Sequence, residues 1–164
     1  MGIKTYRELE VWQLAMSLAE DVYGISASLP ADEKYALASQ LRRVAVSIPS
    51  NVAEGFGRDT TKDFLHFLAM ARGSLFEVMT QLELAVRLGY VPARVDLNEK
   101  AERVGMMLNA LCVRLRGRLD AANLAQCSTS YASRATRHVP RATNHEPRAT
   151  PRATNHEPRA TSND

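Results

Sequence analysis

The chain is poor in the residues from which enzyme sites, metal centres and membrane spans are made. Of its 164 residues two are cysteines and four are histidines, and three of those histidines fall after residue 125. Cys112 and Cys127 supply neither a disulfide framework nor metal-ligand spacing, which fits a reducing compartment. His66, alone in residues 1–125, excludes a two-histidine metal site there within one subunit. No apolar run reaches the length of a membrane span, and the opening MGIKTYRELE has no apolar signal-like stretch, so a cytoplasmic protein without a membrane partner is expected. Net charge is missing too: residues 1–125 hold 15 Lys/Arg against 15 Asp/Glu. The overall +3 arises in residues 126–164, where six arginines face three acids, so the basic pI does not by itself mark the folded part as a nucleic-acid binder.

Those last residues form a segment of their own. PRATNHEPRAT at 140–150 recurs letter for letter at 151–161, and SRATRHV at 133–139 is a degraded copy. Such a composition offers little apolar surface to offset the entropy of ordering, so 126–164 is expected to be disordered. Its histidines stand far apart, which argues against a metal site.

Residues 1–125 show no strand-like alternation and four helical periods. The first opens at a capping box, Thr5 with Glu8, and runs Leu9, Trp12, Met16, Ala19, Tyr23 until Pro30. The second starts near Asp32 and carries Leu37, Leu41, Val44, Ile48, Val52. The third begins at Thr60 with Phe64, Leu68, Ala71, Leu75, Val78, Leu82, Ala85 and stops at Gly89. The fourth, with Asp96 and Glu99 as candidate caps, has Val104, Leu108, Leu111, Leu115 and Leu119 as its core positions. Short connections favour antiparallel neighbours, giving an all-α, up-down-up-down four-helix bundle over 1–125.

Two of these helices are apolar on more than one side. The first has a second stripe, Val11, Leu14, Leu18, Val22, Ile25, Leu29, and the third has Phe67, Met70, Leu84, Leu88. A bundle helix buries one face, so a doubled face predicts a second partner, and a homo-oligomer is expected.

The stretch SIPSNVAEGFGR at 47–58 interrupts the second helix with Pro49, yet the apolar spacing passes through it from Val44 to Phe56. A bent helix ending at Gly55 or Gly57 reconciles the two. Along it Gln40, Arg43, Ser47, Asn51, Glu54 and Arg58 recur at spacings of three and four. Such a stripe can be a solvated face, a buried hydrogen-bond network or a ligand site. GFGRDTTK offers a weak anion cradle at the start of the third helix, with Arg58 and Lys62 beside it; both glycines are better explained as helix stops.

Catalysis lacks its parts. A carboxylate-bridged di-metal bundle needs two Glu-x-x-His pairs, and Asp63-x-x-His66 stands alone. No base is placed to activate a serine, and Cys112 lies beside the core stripe. No enzymatic activity, cofactor, metal or small-molecule substrate is therefore expected. On the fourth helix Lys100, Arg103, Arg114 and Arg118 fall on one side as a basic strip, which with Arg58 and Lys62 makes the candidate nucleic-acid surface. The alternative is that these are solvated cations paired with Glu99, Glu102 or Asp120.

Three runs, LEVWQLAMSLAEDVY, LPADEKYALASQLRRVAVSIPSNVAEGFGR and FLHFLAMARGSLFEVMTQLELAVRLGY, closely resemble the four-helix-bundle proteins encoded in intervening sequences of bacterial 23S rRNA genes. The most specific elements are Val11-Trp12-Gln13, Gln40 with Arg42 and Arg43, Ser47 to Gly55, and Gly73-Ser74. The resemblance covers about the first 90 residues well and the fourth helix by pattern alone. It implies a small cytoplasmic bundle without established enzymatic activity, some relatives assembling as rings of five. Through the similar accessory proteins of diversity-generating retroelements it implies association with RNA or DNA, or with a protein partner such as a reverse transcriptase. Ala36 and Ala38 depart from the glycine and threonine common in that family, and the repeat tail has no counterpart there.

Overall fold

The computed structural model describes residues 3–135, and among these all regular structure is helical. Four helices, α1 (Glu10–Ala27), α2 (Leu37–Phe56), α3 (Thr61–Arg87) and α4 (Val95–Ala135), follow one another through short connections. Residue pairs between helices fix their directions. Arg42 of α2 donates to Ser26 of α1, Ser47 of α2 bonds Ser74 of α3, Arg72 of α3 donates to Asn109 of α4, and Lys100 of α4 reaches Ser17 and Asp21 of α1. Arg42 and Lys100, early in α2 and α4, thus meet the middle and later turns of α1, and Gly55 near the end of α2 lies against Phe64 and Phe67 at the start of α3, as in the expected antiparallel bundle. The helices follow the ring order α1, α2, α3, α4, and the α1/α2 face lies opposite the α3/α4 face.

The core fills from one stripe per helix. Leu18, Val22, Leu41, Ile48, Val52, Leu68, Leu75, Val78, Val104 and Leu108 are fully buried, each large aliphatic side chain contributing about 1.5–3 kcal/mol relative to exposure. On α3 the expected stripe is the observed one, with Phe64 half-buried at its start. On α1 the second stripe supplies most of the core, although Leu9 and Ala19 of the first are also buried and Leu14 of the second is half-buried. Val11, Ala15, Leu18, Val22 and Ile25 face inward, whereas Trp12 is half-buried and Met16 and Tyr23 are exposed. The aliphatic 4-3-4-3 spacing wins because it packs without polar atoms, while a tyrosine hydroxyl is best left at the surface.

Helix ends show where local chemistry acts. Thr5 and Glu8 do cap, but they cap a single 3₁₀ turn, Tyr6–Glu8: Thr5 accepts from the Arg7 amide at 3.4 Å and Glu8 accepts from the Lys4 amide at 3.1 Å. Leu9 then opens α1 without a side-chain cap. A second 3₁₀ turn, Ala31–Tyr35, precedes α2, so that helix starts five residues later than expected, at Leu37. There Glu33 accepts from the Leu37 amide at 3.2 Å and from the Tyr90 hydroxyl at 3.2 Å, joining the α1–α2 and α3–α4 connections. The Thr60 hydroxyl accepts from the Asp63 amide at 3.0 Å and starts α3. Gly89, at φ +72°, ends it with paired bonds from its own amide to Val86 and from Tyr90 to Ala85, a Schellman closure that needs the left-handed conformation.

α2 continues through Pro49, as the apolar spacing predicts, and ends at Gly57. Gly55 is not a stop. A Cβ there would lie 2.7 Å from both Phe64 Cδ2 and Phe67 Cβ, so the glycine lets the first turns of α3 close against α2. In α4 Asp96 sits inside the first turn and is paired with Arg94. The helix runs on to Ala135, ten residues past the predicted end of the bundle, because QCSTSYASRA contains neither proline nor glycine. The rest of the repeat tail lies outside the described residues.

Candidate functional site

The polar stripe of α2 divides by position. Its middle turns toward α3: half-buried Ser47 bonds Ser74, and Asn51 donates to the Ser47 carbonyl at 2.8 Å. Its ends are solvated, with Gln40, Arg43 and Glu54 exposed. Two of the three readings open in the sequence thus apply to different parts of one stripe.

Arg58 is engaged within its own chain. It pairs with Glu54 and lies 4.6 Å from the ring centroid of Phe67, while Lys62 is exposed. At the start of α3 the Thr60 hydroxyl already occupies the Asp63 amide, and the Asp63 carboxylate accepts from that hydroxyl at 2.6 Å. The helix-stop reading of this junction, preferred in the sequence, leaves the Asp63 amide to the chain's own Thr60 cap.

On α4 the basic strip loses one member. Lys100 lies against α1, bonded to Ser17 at 3.1 Å and paired with Asp21. Arg103, Arg114 and Arg118 are exposed, and among the described residues they make no ion pair, so pairing with Glu99, Glu102 or Asp120 is not the arrangement observed. Arg103 and Arg114 border shallow depressions between α1 and α4, shared with Glu10 and Met107. Asp96, held by Arg94 through two bonds of 3.0 and 2.7 Å, is pulled down to about 2 chiefly by that contact. No group of three potential metal-ligating side chains occurs among the described residues; His66 is exposed, its ring in a T-shaped arrangement with Phe67 at 5.8 Å. Cys112 is buried beside the core, as its position beside the stripe predicts.

The most developed surface feature is an apolar groove of about 580 Å³ between α1 and α2. Small residues, Ala19, Pro49 and Ala53, keep its floor low, and Trp12, Met16, Tyr23 and Val46 stand along it. Tyr6 closes one end, packed edge-on against Trp12 at 5.2 Å. Glu20 is the one charged lining residue. The doubled apolar face of α1 is therefore real, but its outward half is the aromatic stripe. Exposed apolar residues also mark the outer side of α3, at Met70, Leu84 and Leu88 as the second stripe predicts, and at Phe76. On α4 Met106 and Val113 are about two-thirds exposed, at 65% and 67%. The α4 face escapes a search for core stripes because Ala110 and Gly117 dilute it; spacing of three and four from Met106 to Gly117 is the signal that reveals it.

No helix among the described residues is long and apolar enough to cross a membrane. A search among curated proteins finds no match to this chain. Comparison with protein families matches residues 7–110, a span that takes in α1, α2, α3 and the opening turns of α4 and with them the whole α1/α2 groove apart from Tyr6. Those residues carry the helical pattern, the Pro49 block and the Gly73-Ser74 pair described above, and on that match the chain belongs to the 23S rRNA-intervening sequence protein family.

Proposed function

We propose that this protein is a non-enzymatic, self-associating four-helix bundle of the cytoplasm, a ring of five being the arrangement its family resemblance favours, and that the assembled surface binds RNA or DNA. The α1/α2 groove carries the self-association. A monomer rarely leaves Trp, Met and Tyr side chains lining one continuous open cleft, and a second copy covers them at no cost in buried charge beyond Glu20. Sedimentation velocity of the full chain tests it: the wild type sediments as an oligomer, and Met16→Glu, which places a carboxylate in the groove, shifts it to monomer. A monomeric wild type at micromolar concentration ends this reading.

Nucleic-acid association rests on Arg103, Arg114 and Arg118, exposed along one helix and multiplied by assembly. Lys100 is dropped from that surface because Asp21 holds it. Filter binding of structured RNA and single-stranded DNA, measured across salt concentrations, should lose affinity in the Arg103→Gln/Arg114→Gln/Arg118→Gln variant, with the log–log salt slope reduced by roughly 2–3. An unchanged slope would transfer the binding elsewhere. The alternative is a scaffold for a protein partner such as a reverse transcriptase, favoured by the exposed apolar residues of α3 and α4; its association barely responds to salt.

A further inference from the structure

We infer that the seam between α1 and α4 holds an unpaired guanine of a single-stranded nucleic acid, with the Glu10 carboxylate on the N1–H and N2–H edge of the base and Arg103 and Arg114 on the phosphates to either side. The inference rests on the nucleic-acid binding proposed above and names the form of strand and the base that this surface selects.

Two shallow depressions of about 390 and 410 Å³ lie along the seam and share Glu10 and Met107. Arg114 lines the first and Arg103 the second. The two arginines stand on one side of α4, roughly 16 Å apart along its axis at about 1.5 Å per residue. An exposed carboxylate therefore lies in line between two exposed cations, yet among the described residues it makes no ion pair with either. A track for phosphates alone is weakened by an acid at its centre, because each phosphate that passes is repelled there.

A base edge removes that conflict, since it brings N–H donors where the backbone brings only acceptors. Guanine has two adjacent donors, N1–H and the 2-amino group, which match the two oxygens of one carboxylate as a fork. Adenine and cytosine each set one amino donor beside a ring acceptor, and that acceptor would face the second oxygen with a lone pair. In a duplex the guanine N1–H is bonded to cytosine, so this edge is available only from an unpaired base. The walls suit a flat ring: Leu14, Met107 and Leu111 are half-buried along the depressions and offer apolar surface for the face of a base. Gln13 lines the second depression with its amide nitrogen committed to the Arg7 carbonyl at 2.8 Å, so what it presents there is another acceptor oxygen. The seam thus sets acceptors for a base between cations for its backbone.

Fluorescence anisotropy of the full-length protein tests this with short oligodeoxythymidylate and oligouridylate strands carrying guanine, inosine or adenine at the centre. The guanine strand should bind about tenfold tighter than the adenine strand, as a bidentate contact to a base edge provides. Inosine, which lacks the 2-amino donor, should fall between them, and annealing a complementary strand should abolish the difference. Glu10 is exposed, so Glu10→Gln should keep the helical circular dichroism spectrum unchanged. That variant should lose the guanine preference while binding the all-pyrimidine strands at least as tightly as the wild type, because the charge that repels phosphates is gone. A wild type indifferent to the central base, or a Glu10→Gln protein that tightens on every strand by the same factor, overturns the guanine site and leaves the arginine surface standing. Strands that fail to bind the wild type at all remove both.

Discussion

At residue 55 the absence of one methyl group sets the distance between two helices. Gly55→Ala forces Phe64 and the α3 backbone at Phe67 outward, a kind of overpacking that costs about 1–3 kcal/mol. Gly57→Ala meets only the Glu54 and Ala53 carbonyls at 3.5 and 3.9 Å and should change stability by less than about 0.5 kcal/mol. Urea denaturation of the two variants measures the difference. In sequence the two glycines look alike, flanking one phenylalanine, because composition records nothing of how near another helix passes. Asp96 is a second single-residue case. Its folded pKa is depressed from 3.8 to about 2, so its contribution is present at pH values above about 4 and disappears as pH falls through the folded value. The melting-temperature gap between wild type and Asp96→Asn should therefore be constant from pH 5 to 7 and close between about pH 4 and pH 2.

Elements were legible where one signal dominated. α3 has one aliphatic heptad, a Thr60 cap and a Gly89 stop, and each stands where the sequence puts it. α1 carries two competing stripes, and the larger side chains of the outward one obscured the aliphatic one that packs. The 3₁₀ turns at Tyr6–Glu8 and Ala31–Tyr35 were illegible for a related reason: a cap signal says that a turn begins, not whether it lengthens into an α-helix. Within α3 and at its end two glycines have opposite roles. Gly73, mid-helix with nothing within 4 Å of where a methyl would sit, gains nothing from lacking a Cβ inside this chain, so Gly73→Ala should raise stability by about 0.5–1 kcal/mol. Gly89→Ala should lower it by about 1–2 kcal/mol, because φ +72° crowds a Cβ against the following carbonyl. Thermal unfolding of both variants reads out the sign.

At the scale of the whole molecule the bundle was legible and its surface was not. Apolar spacing reports that a face is buried, without saying whether its own chain or another covers it. Spacing likewise put Lys100 in line with Arg103, Arg114 and Arg118, yet only the fold brings Asp21 and Ser17 to its ammonium. The pair is partly open to water, so its net worth is below about 1 kcal/mol after solvent screening. Lys100→Met should accordingly cost little stability and leave nucleic-acid affinity unchanged, in contrast to the arginine variants. Salt then separates the two surfaces within one preparation. Raising it from about 50 to about 500 mM shortens the screening length from roughly 14 to roughly 4 Å, which weakens contacts between arginines and phosphates but not burial of Trp12, Met16 and Tyr23 against a partner. Sedimentation should report the same oligomer at both salts while bound RNA is released. An oligomer that dissolves in parallel with the RNA would mean that charge, and not the groove, holds the copies together.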